Sequence, residues 1–153
     1  MEHVARAGAD RARLQRWSRS SNLGGEGNIA VIMRTAFGAG VNGIIVNPQE
    51  KSLISDETIR ISMGAAERVP LVEMNLFSAL KVLKKNGICV YAVDMNGRNY
   101  FEENLRSPVA LVLGAEDVGI SPKVLERVDG RISIPMREGI GSLNVSSSAA
   151  ILV

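Results

Sequence analysis

From residue 28 onward, two apolar periods alternate along the chain. Ile29, Ile32, Met33 and Ala36 recur at helical spacing. They predict a helix capped by Asn28 and ended by Gly38 and Gly40. Residues 43–46 (GIIV) are a short apolar run and read as a buried strand. Residues 56–63 read as a short helix, and Pro70 leads into a strand at residues 71–73. Asn75 is placed to cap a helix with Leu76, Ala79, Leu80 and Leu83 on its buried face. Lys81, Lys84 and Lys85 fall on its wet face, and Gly87 stops it. Residues 88–93 (ICVYAV) predict a strand buried on both faces, with residues 94–97 as a loop at its end. Residues 109–113 and 132–134 are two further strands, each running into a loop marked by Gly or Pro. Ser121-Pro122 opens a helix in the usual way, Ser as cap and Pro first in the helix. Ser142-Leu143-Asn144 opens a last helix of small residues.

Helix and strand thus alternate, and the strands are short. The expected fold class is α/β, an open and mostly parallel sheet with helices on both faces. In such a sheet, ligands bind outside the carboxyl ends of the strands. The loops after residues 113 and 134 are the candidates for that place.

Composition narrows the function. A chain of 153 residues suits one domain with a real core, and 46% hydrophobic with 22% charged residues reads as globular. The net charge of +2 permits a nucleic-acid partner without arguing for one. The first twenty residues are more basic, with Arg6, Arg11, Arg13, Arg16 and Arg19 against Glu2 and Asp10. Residues 1–27 are therefore expected to be a flexible basic arm that could meet phosphates, and residues 28–153 the folded domain. Cys89 and His3 are the only cysteine and histidine, so no metal site is expected. No apolar run reaches the roughly 18 residues of a membrane helix, and the start lacks a signal-peptide core. A cytoplasmic setting is expected.

Gly38-Ala39-Gly40-Val41-Asn42-Gly43 matches G-x-G-x-x-G in letters. A dinucleotide fingerprint needs these glycines after a strand and opening a helix. Here they close a helix and open a strand, which argues against a nucleotide-dependent oxidoreductase.

Three other stretches carry a resemblance. Asn28-Ile29-Ala30-Val31-Ile32-Met33-Arg34-Thr35-Ala36 is followed by Leu111 to Gly119 (LVLGAEDVG). Ile134-Pro135-Met136 then leads into Ser142-Leu143-Asn144-Val145-Ser146. In this order they resemble the three motifs of the SpoU/TrmH-type RNA 2′-O-ribose methyltransferases of the SPOUT superfamily. Ala30 and Val31 depart from the first motif, which has glycine and alanine there. The stretch Gly64 to Pro70 (GAAERVP) is similar to the branch that methylates guanosine in 23S ribosomal RNA.

The resemblance implies a C-terminal trefoil knot around the methyl donor S-adenosylmethionine, a homodimer, and RNA as substrate, rRNA favoured and tRNA the alternative. It implies donor contacts from Ala92, Val93, Asp94, Gly114, Ile134, Met136 and Leu143. It implies active-site roles for Asn28, Arg34, Glu116, Ser142 and Asn144. The family's arginine is proposed to help deprotonate the ribose hydroxyl. A guanidinium stays charged, so gripping a phosphate or stabilising an alkoxide is physically easier.

Both edges depart from the family pattern. A buried strand should precede the first motif, yet residues 11–27 (RARLQRWSRSSNLGGEG) are too charged and glycine-rich to supply it. The last helix stops at Val153, earlier than in relatives. The sheet is therefore expected to lack one central strand, and the chain to be truncated at both ends. A non-catalytic RNA- or donor-binding remnant of the family is the second reading.

Overall fold

The structure is a computed structural model that describes residues 13–17, 26–46, 54–105, 108–114, 119–139 and 141–153. The strands are β1 (Arg13–Trp17), β2 (Gly43–Val46), β3 (Leu71–Glu73), β4 (Cys89–Asn99), β5 (Val109–Leu113) and β6 (Gly130–Ser133). The helices are α1 (Glu26–Gly38), α2 (Asp56–Ile61), α3 (Leu76–Lys85), α4 (Pro122–Leu125) and α5 (Val145–Leu152). Among the described residues the strands form one sheet in the order β3-β2-β1-β5-β4-β6. Every neighbouring pair is parallel.

The two faces of the sheet are read from β5, which is buried along its whole length. Val109, Leu111 and Leu113 pack with Ile29, Ile32, Met33 and Ala36 of α1 and with Val145, Ala149 and Leu152 of α5. Ala110 and Val112 pack with Ala79, Leu80 and Leu83 of α3 and Val124 of α4. This is the period of two that puts successive strand residues on opposite faces. Burying a large aliphatic side chain contributes about 1.5–3 kcal/mol. Ile29, Ile32, Met33, Ile44, Leu111, Leu113 and Ile132, all fully buried, lie in the α1–α5 layer. That layer therefore carries more of the stability than the α3–α4 layer, whose strand residues are mostly Ala and Val.

The expected absence of a central strand is corrected. Arg13–Trp17 is a strand, and it lies between β2 and β5. Leu14, Gln15 and Arg16 register with residues 43–45, and Arg13 to Trp17 with residues 109–113. A parallel ladder is made by backbone groups, and neighbours on both sides can impose it on a segment of weak local preference. The rest of the expected arm, residues 1–12 and 18–25, lies outside the described residues.

Three smaller expectations change. Helix α1 begins at Glu26, so Asn28 is in its first turn and not its cap. Strand β4 alternates between buried and half-buried from Cys89 to Val93. Val90 and Ala92 lie under α3, while Tyr91 and Val93 face the α1–α5 layer only at its edge. Residues 94–97 do not end the strand. Val93 and Arg98 both register with Ile132, so the four residues between them bulge out and the ladder resumes.

Candidate functional site

Because all strands are parallel, their carboxyl ends share one edge of the sheet. A cleft of about 360 Å³ opens there, within the range of small-molecule sites. Its walls come from the ends of β4 and β5, the segment after β6, and the first turns of α5. Val93, Leu113, Ile120, Ile134, Leu143 and Val145 give the apolar surface. Asp94, Asn96, Ser142 and Ser148 give polar atoms, and Met136 lies beside them.

Two close approaches shape this cleft. A Cβ built on Gly114 would lie 2.5 Å from the Gly119 carbonyl carbon and 2.8 Å from its oxygen. Only glycine at position 114 leaves room for the Gly119 backbone this close. A Cβ on Gly97 would lie 2.6 Å from the backbone of Ile132. The Ser133 hydroxyl donates to the Gly97 carbonyl at 3.0 Å. The Asn96 N–H donates to the Asp94 carboxylate at 2.8 Å. The β4 bulge is therefore anchored to β6 at one end and closed by an Asx turn at the other.

At the α5 rim, Asn144 caps the helix, its side-chain oxygen accepting from the Ser146 N–H at 2.8 Å. Its amide nitrogen donates to the Asn28 side-chain oxygen at 3.2 Å. The starts of α1 and α5 are thereby tied together, with Ser142 exposed on the cleft beside them.

Seven of the residues singled out in the sequence line the cleft: Val93, Asp94, Gly114, Ile134, Met136, Ser142 and Leu143. Asn28 and Asn144 pair at its rim. Two residues lie elsewhere. Ala92 is fully buried under α3, where its side chain cannot reach the cleft. Arg34 is exposed on α1 and is not among the cleft residues. Fewer than two helical turns separate it from Asn28, about 9 Å along the axis at 1.5 Å per residue. Glu116 lies outside the described residues.

The cleft also holds residues that the sequence reading did not assign: Asn96, Leu113, Gly119, Ile120, Val145 and Ser148. Val145 and Ser148 are three apart on α5, so both fall on the helix face that meets the cleft. That spacing was available in the sequence. The position of Asn96 depends on the bulge, which no local pattern announces.

Fold and cleft together define an open parallel α/β domain with a ligand-sized site at its strand ends. The chain belongs to the SpoU rRNA methylase family, whose model matches residues 20–153. It is 36% identical over 127 residues to the 23S rRNA (guanosine-2′-O-)-methyltransferase RlmB of Xanthomonas campestris pv. campestris. That match covers 81% of this chain and 51% of the relative, so the chain spans about half the length of such relatives. Its fold is similar to that of a solved RNA 2′-O ribose methyltransferase, with 30% identity and a TM-score of 0.82. This match covers 96% of this chain and 55% of that one. It is also similar to an AdoMet-bound rRNA methyltransferase from Sinorhizobium meliloti, at 27% identity and a TM-score of 0.79. There the cover is 92% of this chain and 52% of that one.

Proposed function

We propose that this chain is an S-adenosylmethionine-dependent RNA methyltransferase acting on a ribose 2′-hydroxyl, with ribosomal RNA favoured over transfer RNA. One observation carries the reading. The cleft, lined by the closely approaching Gly114 and Gly119, opens beside a paired Asn28 and Asn144. The names of the relatives agree with it.

The residues present fit such a donor. The cleft joins an apolar lining to a few polar atoms, as a purine and an amino-acid tail require. Loop N–H and C=O groups of residues 134–136 and 141–143 can read an adenine edge without special side chains. When bound, S-adenosylmethionine supplies an electrophilic methyl group on a sulfonium. The protein's work is then mostly positioning. Ile134 and Leu143 hold the donor between them, with Met136 beside them and Val93 and Asp94 at the β4 side. Ala92 contributes only through its backbone. Asn144 and Asn28 orient the ribose, with Ser142 within the same rim. Arg34, exposed and removed from the cleft, grips a phosphate of the RNA. Glu116 serves as its acidic partner.

The wider assembly follows the same reading. By resemblance the C-terminal part of the domain is knotted as a trefoil, and the active unit is a cytoplasmic homodimer. Val31 on α1 and Ile151 on α5 are exposed aliphatic residues on two helices that pack together, and they suit a second copy. Among the described residues, no helix is long and apolar enough to cross a membrane.

Isothermal titration with S-adenosylmethionine, followed by tritiated-methyl transfer to total rRNA and to tRNA, tests the proposal. One donor site per chain and label in rRNA are the expected results. A folded chain that binds no donor at millimolar concentration defeats the reading.

A further inference from the structure

We infer that the α3–α4 surface is a docking track for the RNA that flanks the target nucleotide; the inference rests on the methyltransferase reading above. The track starts at the cleft. Ile120 lines the cleft, and Ser121 and Pro122 lead directly to exposed Lys123 in α4. The Arg127 guanidinium, one turn further, lies 4.6 Å from the centre of the Phe77 ring in the first turn of α3. From Phe77 the exposed Lys81 and Lys85 follow at intervals of four residues, on one helix face.

The charge on this surface is one-sided. Helix α3 carries three lysines and no acidic residue. The acidic residues of the neighbouring segment are Glu126 and Asp129, and Asp129 is already paired with Lys84 at 2.8 Å. Among the described residues Lys81, Lys85 and Lys123 have no carboxylate within 4.0 Å. The helix dipole accounts for Lys84 and Lys85, which lie in the last turn of α3. It does not account for Lys81 in the middle of the helix. A row of cations beside a guanidinium stacked on an aromatic ring matches a phosphodiester backbone with accessible bases. A second copy of the chain is a poorer occupant, since two-fold symmetry would set this cationic surface against itself.

The test uses the full chain and the double variant Lys81→Ala/Lys85→Ala. Affinity for a fluorescein-labelled rRNA hairpin is measured by anisotropy across a salt series, and S-adenosylmethionine affinity by calorimetry. Each lost phosphate contact makes the log–log salt slope shallower by about 0.7–0.9, so the double variant should lose about 1.4–1.8. Donor affinity should not change, the melting temperature should fall by no more than a few degrees from the lost dipole contact of Lys85, and Lys81→Arg/Lys85→Arg should restore RNA binding. Unchanged RNA affinity and slope in the alanine variant overturn the track while leaving the methyltransferase reading standing. A wild-type chain that binds donor but no RNA overturns both.

Discussion

Asn144 donates its side-chain amide to the Asn28 side-chain oxygen at 3.2 Å, across 116 residues of sequence. The same Asn144 caps α5 through its own oxygen. One side chain therefore starts one helix and locks it to the start of another, at the rim of the cleft. The two roles are separable. Serine is a good helix cap but is too short to reach Asn28. Asn144→Ser should melt within a few degrees of wild type, yet lose methyl transfer roughly tenfold or more, as expected for about 1.4 kcal/mol of lost orientation. Asn144→Ala should lose the same activity and about 1 kcal/mol of stability as well. Full activity in the serine variant would remove Asn144 from the transfer step.

Gly114 is the steric key of the cleft. A methyl group there meets the Gly119 carbonyl carbon at 2.5 Å, and the contact is with backbone, which cannot swing aside. Gly114→Ala should cost about 1–3 kcal/mol by overpacking and weaken S-adenosylmethionine binding at least tenfold in calorimetry. Gly38 is the matched control, with no atom within 4 Å of its built Cβ and no positive φ. Gly38→Ala should leave donor affinity unchanged. Equal donor affinity in Gly114→Ala would show that the close approach of Gly114 and Gly119 does not shape the binding surface.

What was legible in the sequence follows from where the information sits. Strand β5 reads directly because VALVL is uninterrupted and buried on both faces. The cap at Asn75 reads because capping is local. The start of the last helix at Ser142-Leu143-Asn144 reads for the same reason, Asn144 being the residue whose side chain accepts the N–H. Gly114, Ile134, Met136 and Leu143 could be placed because glycine and proline mark the loops and the motifs name them. Asn28 was read as a cap by the same local logic, but its partner is Asn144, which no local window contains. Ser148 is not distinguishable in the sequence from the other small residues of the last helix, although it lines the cleft. Strand β1 was missed because RLQRW lacks the apolar run expected of a central parallel strand. Its placement depends on the ladders to β2 and β5.

That correction can be tested on the backbone alone. Gln15 registers with Ile44 on one side and Leu111 on the other. Proline at a central strand position removes a ladder donor and is not tolerated there. Gln15→Pro should destabilise the fold by about 3 kcal/mol or more, the scale of a proline forced into regular structure, and lower the melting temperature accordingly. A flexible arm would accept the same proline without effect, so an unchanged melt would return residues 13–17 to that status.

Asp129 ties three elements together, and its contribution should depend on pH. Its N–H donates to the Val90 carbonyl at 2.7 Å, one carboxylate oxygen accepts from the Val90 N–H at 2.8 Å, and the other meets the Lys84 ammonium at 2.8 Å. Burial pushes the carboxyl up, but the Lys84 hydrogen bond, the Val90 N–H and the Lys84 charge outweigh it. The net effect holds Asp129 below its ordinary value. A carboxyl with a depressed folded-state pKa stabilises the fold above its unfolded value, about 3.9, and loses that contribution as pH falls through the folded value. The side chains are 39% exposed, so solvent screening limits the ion pair to about 1 kcal/mol or less. Asp129→Asn keeps an acceptor for Val90 and loses the charge. The stability difference between wild type and Asp129→Asn, from urea melts, should stay constant from about pH 5 to 8 and shrink below about pH 4. A difference that persists undiminished in acid would assign the effect to the neutral hydrogen bond and not to the ion pair with Lys84.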